Sequence, residues 1–128
     1  MTPIHFACTY GNLETVELLF EHAERKGDLL EMLEDRNKEG ETALHSAVGG
    51  GHIKIVEMCL KKGAKVKARR GNLAQPLHIA AINGYVNIAE LLVAHRAKIE
   101  ARNVYHVTPL HKAAAFNKIE MVAFLLEK

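Results

Sequence analysis

Tryptophan is absent from this sequence, and aromatic residues of every kind make up only 5% of it. Proteins that grip single-stranded nucleic acid stack its bases on aromatic rings set among cations. No aromatic interrupts the one dense basic stretch, Lys61 to Arg70, so nucleic acid is not an expected partner. Cysteine is nearly missing as well. Cys8 and Cys59 have no CxxC spacing, which argues against a redox pair and predicts buried free thiols. No apolar run approaches the ~18–20 residues needed to cross a bilayer, and no signal-peptide pattern opens the chain. A cytoplasmic location is therefore expected, or the cytosolic side if the parent is a membrane protein. Gly49-Gly50-Gly51 lacks the spacing and the lysine of a phosphate loop. The rest is ordinary: 48% hydrophobic, 25% charged and a net charge of +2, enough for one domain with a real core.

What the chain does have is repetition. Thr2-Pro3-Ile4-His5, Thr42-Ala43-Leu44-His45, Gln75-Pro76-Leu77-His78 and Thr108-Pro109-Leu110-His111 are variants of one tetrapeptide. The last three begin 33 residues apart, and the first lies 40 residues before the second. Each reads as the start of a helix, with Thr at the cap in all but the third and Pro in the first turn in all but the second, where its missing N–H leaves no gap. Small residues follow (Ala7-Cys8, Ala47-Val48, Ala80-Ala81, Ala113-Ala114), letting neighbouring helices approach. Gly11, Gly51 and Gly84 then end the helix, with Asn117 in the fourth unit. A second helix comes next, with apolar positions at helical spacing around Val16, Val56, Ala89 and Val122. One such unit cannot cover its apolar stripe and must stack on the next.

This pattern resembles the ankyrin-repeat family over essentially the whole chain. The resemblance implies an all-α solenoid of stacked helix-turn-helix units with short β-hairpin loops, whose fingers and first helices line a concave face that binds partners. The units fall at approximately 1–40, 41–73, 74–106 and 107–128, in a single domain that reads as a piece of a longer array. At the finger tips Gly40 fits the family, whereas Leu73 and His106 stand where it has glycine. Gln75 replaces the capping Thr and is expected to weaken that cap. The seven extra residues of the first unit predict a lengthened second helix, a break at Gly27-Asp28 capped by Asp28, and an extra turn burying Leu29, Leu30 and Leu33. Within the family, Thr2-Pro3-Ile4-His5-Phe6-Ala7-Cys8 with the enlarged first unit, and Thr108-Pro109-Leu110-His111-Lys112-Ala113, resemble the cytosolic arrays of ankyrin-type transient receptor potential (TRP-A) channels. That narrower likeness implies a segment of a cation channel involved in gating or sensing.

Eight histidines raise the question of a metal or a catalytic base. The family resemblance gives His5, His45, His78 and His111 a structural role across the inter-repeat turns. His5 and Cys8 alone do not make a zinc site, so neither metal nor cofactor is expected. No nucleophile stands with an oriented base, so the reading is non-catalytic. Recognition of a protein partner is the leading expectation. By alignment Phe6, Ile79 and Lys112 occupy one variable first-helix position, together with Ser46, and Tyr10 and Asn83 another, together with Gly50 and Phe116. Leu73, Tyr105 and His106 sit at finger tips. A second surface is the loop column of Lys65, Lys67, Arg69, Arg70 and Arg102, which could take an anionic peptide, polyphosphate or lipid headgroup. The acidic run Glu14, Glu17, Glu21, Glu24, Asp28, Glu31, Glu34 and Asp35 sets the first unit apart.

Overall fold

The computed structural model describes residues 2–128. Helices come in consecutive pairs: α1 (Pro3–Tyr10) with α2 (Leu13–Lys26), α4 (Ala43–Gly50) with α5 (Ile53–Lys61), α6 (Pro76–Asn83) with α7 (Val86–Ala94), and α8 (Pro109–Ala115) with α9 (Ile119–Glu127). The short α3 (Leu29–Glu34) is an addition to the first pair. The first helices pack in the order α1, α4, α6, α8, and the second helices in the order α2, α5, α7, α9. The result is an all-helical solenoid four layers deep.

Small and branched side chains make the core continuous along the stack. Ala7, Ala47, Ala80 and Ala113 occupy one column, and Val16, Val56 and Ala89 another, all buried. Ile4, Leu44 and Leu77 form a third. Burying each Leu or Val contributes roughly 1.5–3 kcal/mol, and the helices pack both within a layer and between layers. Each inner helix stops at a left-handed residue: Gly11, Gly51 and Gly84 have φ of 77°, 76° and 74°, and Asn117 has 56°. Glycine here also makes room. A Cβ on Gly11 would lie 2.6 Å from the His52 ring, and one on Gly51 3.0 Å from the Tyr85 ring. The residue after each turn thus closes over the turn of the layer before it.

The histidines fasten consecutive layers. His5 Nε2 donates to the Glu41 carbonyl at 2.9 Å, His45 Nε2 to Ala74 at 3.3 Å and His78 Nε2 to Val107 at 2.9 Å. The opposite ring nitrogen accepts a backbone N–H at the helix cap, from Thr42, Gln75 and Thr108 to His45, His78 and His111, each at 3.1 Å. A ring that accepts at Nδ1 and donates at Nε2 must be neutral.

Three local expectations need correction. Leu30 is exposed rather than buried, because the single six-residue turn of α3 buries only its Leu33 side. Asp28 makes no side-chain cap bond; its φ of −106° and ψ of 10° are not the extended cap conformation that aims a carboxylate at the helix N–H groups. The finger loops close without forming strands among the described residues. Each tip has a tight turn, as in Asn37 N–H to Glu41 and Arg70 N–H to Ala74, both 3.0 Å. One backbone bond then joins neighbouring fingers, Gly71 N–H to Glu39 at 3.0 Å and Val104 N–H to Asn72 at 2.9 Å. Single bonds do not extend into a ladder.

Candidate functional site

The surface begins with the fingers, whose shape is set by backbone strain and side-chain bonds. Leu73 and His106 take φ of 64° and 62°, the left-handed conformation that Gly40 adopts at 76°. A non-glycine residue there carries a penalty of about 1 kcal/mol. In return an apolar side chain and an imidazole stand on exposed tips. Asn103 Oδ1 accepts from Tyr105 N–H at 2.8 Å and Val107 N–H at 3.1 Å, which holds Tyr105 at the tip with 75% of its surface exposed. Val104 beside it is also exposed. Sequence reasoning missed Val104, although its place next to Tyr105 was visible.

The inner helices sort the remaining candidates into two rows. Tyr10, Asn83 and Phe116 are exposed along one row, with Gly50 half-buried among them. In the other row Ile79 is 7% exposed and Ser46 5%, because each packs against the inner helix of the preceding layer. Ile79 is thus a packing residue rather than part of the open surface. Phe6 in that row is exposed and stacks on Tyr10, ring centroids 6.1 Å apart and planes 16° from parallel. Lys112 is half-buried.

The arginine column bonds to the protein itself. Arg36 Nη1 donates to the Gly40 carbonyl at 2.7 Å and to the Arg69 carbonyl. Arg69 Nη1 repeats this one layer on, to Leu73 and to Arg102, both at 2.7 Å. Each guanidinium closes its own finger and ties it to the next. Arg70 pairs with Glu41 at 2.8 Å and Lys65 with Glu34 at 2.5 Å, while Lys62 pairs with Glu24 at 2.9 Å. Of the five residues expected to face an anion, Lys67 and Arg102 make no ion pair and no side-chain hydrogen bond among the described residues. Lys65 and Arg70 are paired with carboxylates, and the Arg69 donors are taken up by backbone carbonyls.

Burial pushes the His45 pKa down to about 4 despite its bond to the Ala74 carbonyl, and burial lowers His78 likewise. Burial raises the Glu41 carboxyl, but the hydrogen bonds from Asn37 and Arg70 outweigh it and the net shift is downward. Cys8 and Cys59 are free and buried in the core, and the neighbouring Cys8 thiol together with burial pushes the Cys59 thiol pKa up.

Comparison with known proteins identifies the repeated unit. The family model for ankyrin repeats in three copies matches residues 1–70 and 66–128. The chain is 42% identical over 76 residues to transient receptor potential cation channel subfamily A member 1 of Drosophila melanogaster, covering 59% of the chain and 6% of the relative. To the Homo sapiens protein of the same name it is 36% identical over 63 residues, covering 49% of the chain and 5% of the relative. A probable 26S proteasome regulatory subunit p28 of Saccharomyces cerevisiae is 35% identical over 68 residues, covering 53% of the chain and 28% of that subunit. The matched stretch is a small part of each relative.

Proposed function

We propose, because this chain belongs to the ankyrin-repeat family, that it binds a protein partner through its finger tips and the exposed row of its inner helices. Ankyrin repeats are protein-interaction modules, and the finer reading concerns which part of this one engages. The observation that carries it is the cluster of apolar groups on the tips, Leu73, Val104 and Tyr105, all exposed. Large rigid side chains at exposed positions are where interfaces concentrate their binding energy. Two of them sit on tips braced by arginine and asparagine bonds, so little entropy is lost on contact. The test is a Leu73→Ala/Tyr105→Ala double variant, assayed against the tightest binder selected from a displayed random-peptide library. A loss of 10-fold or more in affinity, with an unchanged circular dichroism spectrum, supports the reading. Unchanged affinity rejects it.

A second reading follows from the 42% identity to the Drosophila channel. In it the segment belongs to the ankyrin array of a cation channel, where the histidine and arginine ties between layers carry strain or partner binding along the stack. Transcript sequence on both sides of this segment tests it. Apolar stretches of ~20 residues downstream support the channel reading, and their absence from the complete transcript rejects it. Binding of an anionic peptide, polyphosphate or headgroup at the loop column is the weaker alternative, because only Lys67 and Arg102 are left to meet it.

A further inference from the structure

The ties between layers run forward along the chain, and the fourth layer leaves its own unmade. His45 Nε2 and His78 Nε2 donate to carbonyls 29 residues on, at Ala74 and Val107. Arg36 and Arg69 donate to carbonyls 33 residues on, at Arg69 and Arg102. The acceptors therefore come in pairs five residues apart, Arg69 with Ala74 and Arg102 with Val107. Each pair lies on the finger that leads into the next layer. His111 Nε2 and the Arg102 guanidinium are the next donors in the two series, and neither has a partner among the described residues.

Side-chain burial breaks off at the same place. The position held by Cys8, Val48 and Ala81 is fully buried in the first three layers, and Ala114 in the fourth is exposed. His5, His45 and His78 are buried, and His111 is exposed. Leu110 and Val122 are half-buried where Leu77 and Ala89 show no surface. Ile99, Leu110, Leu125 and Leu126 line one open groove of about 840 Å³ at this end of the stack. The turns follow suit: His52, Tyr85 and Lys118 close over Gly11, Gly51 and Gly84, while Asn117 stands exposed. Two donors, four burial positions and one turn thus go unmet on one face and in one register.

We propose that the α8–α9 face seats a fifth helix-turn-helix layer, supplied by the continuation of this same chain, whose finger accepts from Arg102 and His111 through two carbonyls five residues apart. A second copy of the molecule brings no free finger of that kind. Its Glu41, Ala74 and Val107 carbonyls already accept from its own histidines, and its Arg69 and Arg102 carbonyls from its own arginines. Carrying both intervals forward puts the two acceptors within about a dozen residues after Lys128, at the finger spacing. An unrelated protein would match that spacing only by chance. The inference goes beyond the partner reading and is independent of what binds the tips: it concerns what completes the stack.

The test compares this 128-residue chain with the chain extended by the next ~40 residues of its transcript, enough for one further repeat. Each is made as wild type and as Ala114→Glu. Ala114 is exposed, so the substitution should move the melting temperature of the 128-residue chain by no more than about 2 °C. The extended wild type is expected to melt at least about 4 °C higher. Its amide exchange at His111 and Ala114 should slow by ~10-fold or more, and Ala114→Glu should abolish both gains. An extended chain that melts no higher, or whose gain survives Ala114→Glu, overturns the proposal. Concentration-dependent association of the 128-residue chain that Ala114→Glu removes also overturns it, and gives the face to a second copy. Should the extended chain aggregate, the same segment added as a synthetic peptide decides. NMR shifts at Arg102, His111 and Ala114 then support the proposal, and their absence overturns it.

Discussion

Single residues here combine folding and recognition in ways that can be separated. His45 must be neutral to accept at Nδ1 and donate at Nε2, and its pKa of about 4 lies below the unfolded value of 6.5. The unfolded chain therefore binds the proton first as pH falls. The stability tied to this residue is complete above pH ~6.5 and declines towards pH ~4, by up to about 3 kcal/mol. His78 shifts the same way and adds to the trend. Urea unfolding at pH 7.5, 6 and 5 should show falling stability, with a shallower slope in a His45→Gln variant that is less stable at neutral pH. At the tips the expected trade runs the other way. Leu73→Gly relieves the φ of 64° and should raise stability by about 1 kcal/mol in thermal melts while weakening partner binding. These left-handed positions were legible in the sequence, since Leu73 and His106 fall where the repeat calls for glycine. The roles of Ile79 and Ser46 were not: their burial depends on which face the preceding layer covers.

At the scale of elements, the helices were read from caps, prolines and terminating glycines, and the structure places them accordingly. The fingers were harder. Arg36 and Arg69 donate to backbone carbonyls, and a carbonyl has no sequence signature, so a periodic arginine reads equally well as a binding column or a brace. Removing Arg69 should loosen two fingers at once. Arg69→Ala is expected to cost roughly 1 kcal/mol or somewhat more and to speed amide exchange at Arg70 and Leu73, whose N–H groups close the second finger. Exchange as slow as in wild type would show that the brace is redundant. The extra turn α3 was anticipated in place but not in detail. Six residues present only one buried face, so Leu33 goes in and Leu30 stays out.

The whole molecule is a one-dimensional stack in which each layer is stabilised by its neighbours. Leu77 is fully buried in α6, packed between α4 and α8. Leu77→Ala should cost about 2–5 kcal/mol, lowering one cooperative thermal transition rather than splitting it. Charge is distributed by layer: among the described residues Glu24 and Glu34 of the acidic first unit pair with Lys62 and Lys65 after α5, and Glu41, at the start of the second unit, pairs with Arg70. The inner helices are left nearly neutral, and Leu73, Val104 and Tyr105 stand exposed on the second and third tips; on these the account of function depends. The most direct test is to titrate the isotope-labelled chain with the tightest selected peptide and follow backbone amide shifts by NMR. The account predicts shifts concentrated at Leu73, Val104, Tyr105 and His106, and along Tyr10, Gly50 and Asn83. Shifts confined to the Lys61–Arg70 loop or to the outer faces of α2, α5 and α7 would contradict it.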